Sequence, residues 1–242
     1  MSTQAFVKVE KITKEYGNLV VLRNISFEVE KGEVLVLCGP SGCGKSTLLR
    51  CINGLEKFRE GQIWVNGMPV QGATHKELMK VRLMCGMVFQ SFNLFPHMTA
   101  LENIIEAPIN ASGISKKEAV KTAMVLLNKL GLEKRANAYP CELSGGEKQR
   151  VAIARACALN PSIICFDEPT SALDPELTEE ISKIIKELSN SNIGIIIVTH
   201  DMDFVKSVAQ RVILMEDGTI IKDETKKDFF TKLENNILKN LA

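Results

Sequence analysis

The run Gly39-Pro40-Ser41-Gly42-Cys43-Gly44-Lys45-Ser46-Thr47 has the residue types and spacing needed to grip a polyphosphate. In the pattern G-x-x-x-x-G-K-[ST], glycines let backbone N–H groups turn inward around phosphate oxygens, a conformation that Cβ atoms obstruct. Lys45 places a positive charge at the β- and γ-phosphates, and Ser46 offers a hydroxyl to Mg²⁺. The helix expected over Ser46 to Ile52 points its positive dipole end at the anion. The apolar run Val34 to Cys38 before the loop supplies the strand that a phosphate loop requires, which a chance glycine-rich turn lacks. Kinases, GTPases and motors share such loops, so other residues must decide the function.

Three further stretches carry chemistry. Ile163-Ile164-Cys165-Phe166-Asp167-Glu168 is an apolar strand that ends in two carboxylates. In open parallel sheets ligands sit beyond the carboxyl ends of strands, so Asp167 is placed to hold Mg²⁺ directly or through water. Glu168 is placed to polarise the water that attacks the γ-phosphate; the plainer reading is a strand end with solvated acids. Leu143-Ser144-Gly145-Gly146-Glu147 stands directly before a helix carrying Val151, Ala154 and Ala158 on one side. It reads either as a second anion cradle of inward N–H groups or as an ordinary serine-capped helix start. Two phosphate-binding faces on one fold suggest that two copies share each nucleotide. Finally, Ile195-Ile196-Ile197-Val198-Thr199-His200-Asp201 ends an apolar strand in a histidine, a catalytic contact or a polar end cap.

The elements that must position these groups follow from periodicity. Phe6 to Ile12 and Ile25 to Glu30 alternate as half-buried antiparallel strands, and Gly61 to Val65 runs into Asn66-Gly67, a hairpin turn. Tyr16-Gly17 falls between the first two strands, in a loop; the tyrosine is either surface packing or an aromatic face for adenine. From about 101 to 159 the texture is helical, with Val120, Ala123, Met124 and Leu127 on one stripe and Gly131 at the stop. Strand texture returns at Ile163 to Phe166, Ile193 to Val198 and Val212 to Met215. Leu177, Ile181, Ile184, Ile185 and Leu188 form an amphipathic helix among these strands. Buried strands alternating with such helices predict a mainly parallel sheet covered on both faces.

Composition narrows the partners. The 242 residues carry 30 basic and 29 acidic side chains, a net charge of +1 that gives no bulk attraction to nucleic acid or anionic lipid. Seven cysteines, at 38, 43, 51, 85, 141, 157 and 165, contain no C-x-x-C pair and read as reduced thiols, mostly in the core. Cys43, next to Lys45 and a helix N-terminus, is either a reactive thiol or a small residue tolerated in the loop. No run approaches the length of a membrane span, and Met1 to Glu10 lacks a leader pattern. The expectation is a chain that reaches a membrane only through another protein.

Taken together, these motifs resemble the ATP-binding subunit of an ATP-binding cassette (ABC) transporter, over nearly the whole chain. The phosphate loop matches the Walker A motif, Gln90 the Q-loop, Leu143 to Glu147 the signature, and Asp167 with Glu168 the Walker B pair. Ser171-Ala172-Leu173-Asp174 matches the D-loop, His200 the switch histidine, and Tyr16 the adenine-stacking aromatic. Glu147 stands where the family more often has glutamine. The resemblance implies a P-loop NTPase core (about 1–90 and 160–242), an N-terminal antiparallel β subdomain and an inserted α-helical subdomain (about 91–159). It implies ATP and Mg²⁺, with Ser46, Gln90 and Asp167 toward the metal, Glu168 as general base, and His200 and Gln90 assisting. It also implies a head-to-tail dimer in which Ser144 to Glu147 close on the partner's nucleotide. Integral membrane subunits would dock on the apolar loop Ser91 to Met98, which otherwise packs inside the helical insertion. Runs such as Leu49 to Glu56, Val88 to His97 and Ala138-Tyr139-Pro140 are similar to the polar amino acid importer branch. There an extracytoplasmic binding protein selects the cargo, no nucleic acid is involved, and the ATPase sits peripherally at the cytoplasmic face of the membrane. Rival classes are a soluble ABC-type ATPase of DNA repair or translation and a nucleotide-binding regulator without turnover. The single cassette without a coiled-coil insertion or basic stripe disfavours the first, and Glu168 with His200 disfavours the second.

Overall fold

Alternating burial along the first strands builds one sheet, and fully apolar strands later in the chain build another. The computed structural model describes residues 5–171 and 173–240; Met1 to Gln4 and Ala172 of the Ser171–Asp174 run lie outside the described residues. In β1 (Val7–Tyr16), Val7, Val9 and Ile12 are buried while Lys8 and Glu10 are half-buried and ion-paired. β2 (Leu19–Val29) pairs with it antiparallel. β3 (Val34–Cys38) and α1 (Lys45–Ile52) follow, then β4 (Glu60–Val65) and β5 (Met68–Pro69). Asn66 (φ 48°) and Gly67 (φ 75°) close the β4–β5 hairpin, with Val65 opposite Met68, as the Asn-Gly pair predicts. The antiparallel sheet has the order β2-β1-β4-β5. Tyr16 differs from expectation: it is the last residue of β1, paired with Leu19, and only Gly17 and Asn18 turn. A two-residue hairpin lets both strands run up to the turn.

Next come α2 (His75–Met84), β6 (Cys85–Val88), α3 (Ala100–Asn110), α4 (Lys116–Lys129) and α5 (Gly145–Cys157). The remaining elements are β7 (Ile163–Asp167), α6 (Pro175–Asn190), β8 (Gly194–Val198), α7 (Met202–Val208), β9 (Arg211–Glu216), β10 (Thr219–Thr225) and α8 (Lys226–Asn240). The second sheet has the order β10-β9-β3-β8-β7-β6, parallel except where β10 returns against β9. Every residue of β3, β7 and β8 is buried, as apolar strands at the centre of a parallel sheet must be. Their side chains divide by parity. Leu35, Leu37, Cys165, Ile196 and Val198 face the core shared with the antiparallel sheet, whereas Val36, Ile164, Phe166, Ile195 and Ile197 face the core under α6 and α7. A third core joins α3, α4 and α5 through Ile104, Ala123, Leu127 and Val151.

The register decides what the site can be. Leu37 and Asp167 are both Cα partners of Val198, and Phe166 is the partner of Val88. The phosphate loop, the Asp167-Glu168 pair, the Thr199-His200 end and the Gln90 segment therefore leave the sheet along one edge.

Candidate nucleotide site

Gly39 leaves β3 at φ 142°, and a Cβ there would lie 2.0 Å from the Met215 carbonyl oxygen of β9. The loop can turn here only without a side chain. Gly44 caps α1 in the left-handed region (φ 99°) and has no side chain to accept the first-turn N–H groups, which are left without a capping acceptor. These donors and the helix dipole face one depression of about 250 Å³, lined by Val21, Ser41, Gly42, Gly44, Lys45, Ser46, Thr47, Gln90, Glu168 and His200. Lys45 is buried and its Nζ donates to the carbonyls of Gly39 (2.9 Å) and Pro40 (2.8 Å). The same ammonium that the sequence assigns to phosphate thus braces the loop.

Asp167, buried at the end of β7, accepts a 2.6 Å hydrogen bond from Ser46 Oγ, with Arg50 Nη2 at 4.0 Å. A serine hydroxyl and a carboxylate side by side are the hard oxygen donors that Mg²⁺ takes, its other ligands coming from phosphate and water. Among the described residues no cluster of three His, Cys, Asp or Glu forms an all-protein metal cage. Glu168 adopts φ 49°, and its N–H bonds to the Val198 carbonyl at 2.9 Å. That conformation turns its side chain from the strand into the depression, where its carboxylate lies 3.0 Å from His200 Nδ1. Gln90 is exposed and lines the same depression.

Ser144 to Glu147 do not line this depression; they begin α5 elsewhere on the same chain. Of the two readings of this run, the serine-capped helix start is present. Glu147 and Ser144 form a capping box: Glu147 Oε2 accepts the Ser144 N–H at 2.8 Å, and Ser144 Oγ accepts the Glu147 N–H at 3.2 Å. The donors left over are the N–H groups of Gly145 and Gly146 and the Ser144 hydroxyl hydrogen. Glu147 Oε1 meanwhile accepts from Arg135 Nε at 2.8 Å. The Ser144 N–H, then Arg135, hold the Glu147 carboxyl below its ordinary pKa. The carboxylate is turned back onto its own helix.

Other sequence-selected residues are more dispersed. Tyr16 is exposed and does not line the depression; Lys14 Nζ stands 4.2 Å from the centre of its ring, covering one face. Pro40 and Cys43 line an adjoining depression of about 470 Å³ with Leu19, Arg23 and Asp217. Cys43 is 7% exposed and packed in the core, with Lys45 Nζ 3.7 Å from its Sγ. Asp174 caps α6 by accepting the Leu177 N–H at 2.9 Å. Sequence reasoning missed Val21, brought to the site by β2, and Arg135, the partner of Glu147; both are common residue types without a local pattern. It also missed Asn103, a buried asparagine inside an apolar helical stripe, a signal that was present.

A phosphate loop, a buried carboxylate at the end of β7 and a glutamate–histidine pair on a mainly parallel sheet define a nucleotide-hydrolysing cassette. The chain belongs to the ABC transporter family, whose sequence pattern matches residues 22–171. It is 51% identical over 224 residues to the arginine transport ATP-binding protein ArtM of Bacillus subtilis, covering 93% of each chain. It is 47% identical over 221 residues to the glutamine transport ATP-binding protein GlnQ of Geobacillus stearothermophilus, covering 91% of each. Among solved structures it resembles an ATP-binding cassette captured as a dimer in a post-hydrolysis state with ADP and Pi. The TM-score is 0.83 at 38% identity, over 91% of this chain and 98% of that one.

Proposed function

We propose that this chain is the ATP-hydrolysing subunit that powers import of a polar amino acid through separate membrane subunits. The observation that carries the hydrolytic part is the Glu168–His200 pair at 3.0 Å on the wall of the phosphate-loop depression. The names of the arginine and glutamine transport relatives support the cargo class. Bound Mg²⁺ would neutralise charge developing on the transferred phosphoryl group, held toward Ser46, Asp167 and Gln90. The loop N–H groups and Lys45 bind the phosphates, Tyr16 offers its uncovered ring face to adenine, and Glu168 accepts a proton from the attacking water. His200 holds that water and the γ-phosphate in line.

The site is completed by a second copy, head to tail. Ser144, Gly145 and Gly146 lie away from their own chain's depression, so their spare donors serve the partner's γ-phosphate, with Asp174 at the junction. The cassette solved as a dimer supports this arrangement. The helical segment 91–159 acts as a subdomain inserted between 1–90 and 160–242, and the loop Ser91 to Met98 meets the membrane subunits. Among the described residues no helix is long and apolar enough to cross a membrane. The transport ATP-binding relatives support a peripheral place at the cytoplasmic face of the membrane, with an extracytoplasmic binding protein selecting cargo and no nucleic acid partner.

Glu168→Gln keeps the side chain's size and removes its basicity. ATP binding is expected to persist, hydrolysis to fall by roughly 100-fold or more, and the ATP-bound dimer to accumulate on gel filtration. A variant with parental turnover refutes the general-base role. Stimulation of the membrane-assembled complex by a binding protein loaded with arginine, glutamine or another polar amino acid identifies the cargo; stimulation by none of them refutes the cargo class.

A further inference from the structure

Arg155 lies about three turns along α5 from Ser144, roughly 16 Å at the helical rise. Its Nη1 donates to the Asn93 carbonyl at 2.5 Å and its Nη2 to the Phe92 carbonyl at 2.8 Å. Both acceptors are left-handed, Phe92 at φ 61° and Asn93 at φ 47°, in a tight turn closed by Phe92 N–H to Phe89 O (3.0 Å) and Asn93 N–H to Ser91 O (2.6 Å). That turn encloses Gln90. Among the described residues no carboxylate forms an ion pair with Arg155, and burial pulls its pKa below the usual value. A half-buried cation whose two fork nitrogens serve only backbone carbonyls makes sense where the position of that backbone matters.

The far side of the loop is tied as firmly. Asn103 of α3, fully buried, accepts the Phe95 N–H at 2.7 Å and donates to the carbonyls of Phe95, Met98 and Thr99 at 3.0–3.2 Å. Residues 92–99 are therefore tied to α3 and α5, which share a core, whereas residues 85–88 are strand β6 of the parallel sheet. Gln90 sits at the joint between the two.

We propose that Arg155 is a positioning residue that sets Gln90 in register with α5, so that a displacement of α5, whose other end carries Ser144, is passed to Gln90. The proposal rests on the assignment of Gln90 to the hydrolytic site. The alternative is that Arg155 only stabilises the packing of α5 on the loop.

A double-mutant cycle on the purified full-length protein separates them, with kcat and apparent Mg²⁺ affinity in ATP hydrolysis as readouts and thermal unfolding as a control. Arg155→Gln is expected to lower kcat about tenfold and weaken apparent Mg²⁺ affinity, while Arg155→Lys, which retains a donor, recovers part of both. In a Gln90→Ala background the effect of Arg155→Gln is expected to shrink below about twofold, because the group it positions is gone. An equal fall in both backgrounds, tracking a fall in melting temperature, overturns the proposal while leaving the role of Gln90 intact. A Gln90→Ala variant with parental kcat and Mg²⁺ dependence overturns both. Should Arg155→Gln fail to fold, the same cycle is run with Arg155→Lys and judged by the same outcomes.

Discussion

Replacing Glu147 by glutamine, the residue more usual in the family at this place, is expected to destabilise the protein. The carboxylate uses its two oxygens on two donors, Oε2 on the Ser144 N–H and Oε1 on Arg135 Nε. Glutamine has one oxygen, so its amide N–H₂ must face one of those donors, and the half-exposed Arg135 swings into water. What is lost is the charge on one cap bond, the favourable meeting of that charge with the N-terminal dipole of α5, and a partly solvated ion pair. With the ion pair discounted for screening, these amount to about 1–2 kcal/mol. For a chain of this length that corresponds to a fall in melting temperature of roughly 2–4 °C at neutral pH. The pH dependence has a definite sign. The folded pKa of Glu147 is depressed, so its contribution is fully present above the unfolded carboxyl pKa and is lost as pH falls through the folded value. The gap between parent and variant, followed by scanning calorimetry in a pH series downward from 7, should narrow in acid. Equal melting temperatures at pH 7, or a gap that widens as pH falls, refute the reasoning.

Two further outcomes test other parts of the structure. Cys141 is exposed, whereas burial pushes the Cys38 thiol to about 11 and those of Cys51, Cys157 and Cys165 to about 12. At pH 7.5, a working value chosen about one unit below a free thiol's pKa, maleimide should therefore label one thiol rapidly, and Cys141→Ser should abolish that phase; a second rapid site would contradict the burial. Gly39→Ala forces a side chain against the Met215 carbonyl in a conformation that disfavours one. A loss of at least about 2–3 kcal/mol is expected, read as lower melting temperature or lost soluble protein, and a parental melting temperature would show that β9 yields easily.

Much of the site was legible because its residues are neighbours in sequence. The phosphate loop is nine consecutive residues, its glycines required by backbone conformation, and apolar strands ending in Asp167-Glu168 and Thr199-His200 announce themselves by composition. Buried parallel strands need apolar residues throughout, so β3, β7 and β8 could be placed from hydropathy alone. Gly131 at φ 69° and the Asn66-Gly67 turn were equally local. The reading of Tyr16 as a loop residue erred because nothing nearby marks how far a strand runs into a two-residue turn.

Where pairing was not local, the chain order gave no guide. Arg135 and Glu147, and Arg155 and the Phe92–Asn93 carbonyls, meet only because strands and helices distant in sequence are brought into register. The sequence by itself determined the chemical inventory: a phosphate-binding loop, strand-end acids, a histidine and a second glycine pair before a helix. The tertiary structure decided the allocation of hydrogen bonds among them. It assigned the Ser144 N–H to Glu147, braced the loop with Lys45, and kept the signature glycines out of their own chain's depression. Each donor and acceptor can be used only so often, and which partner takes it depends on geometry that residue types do not encode.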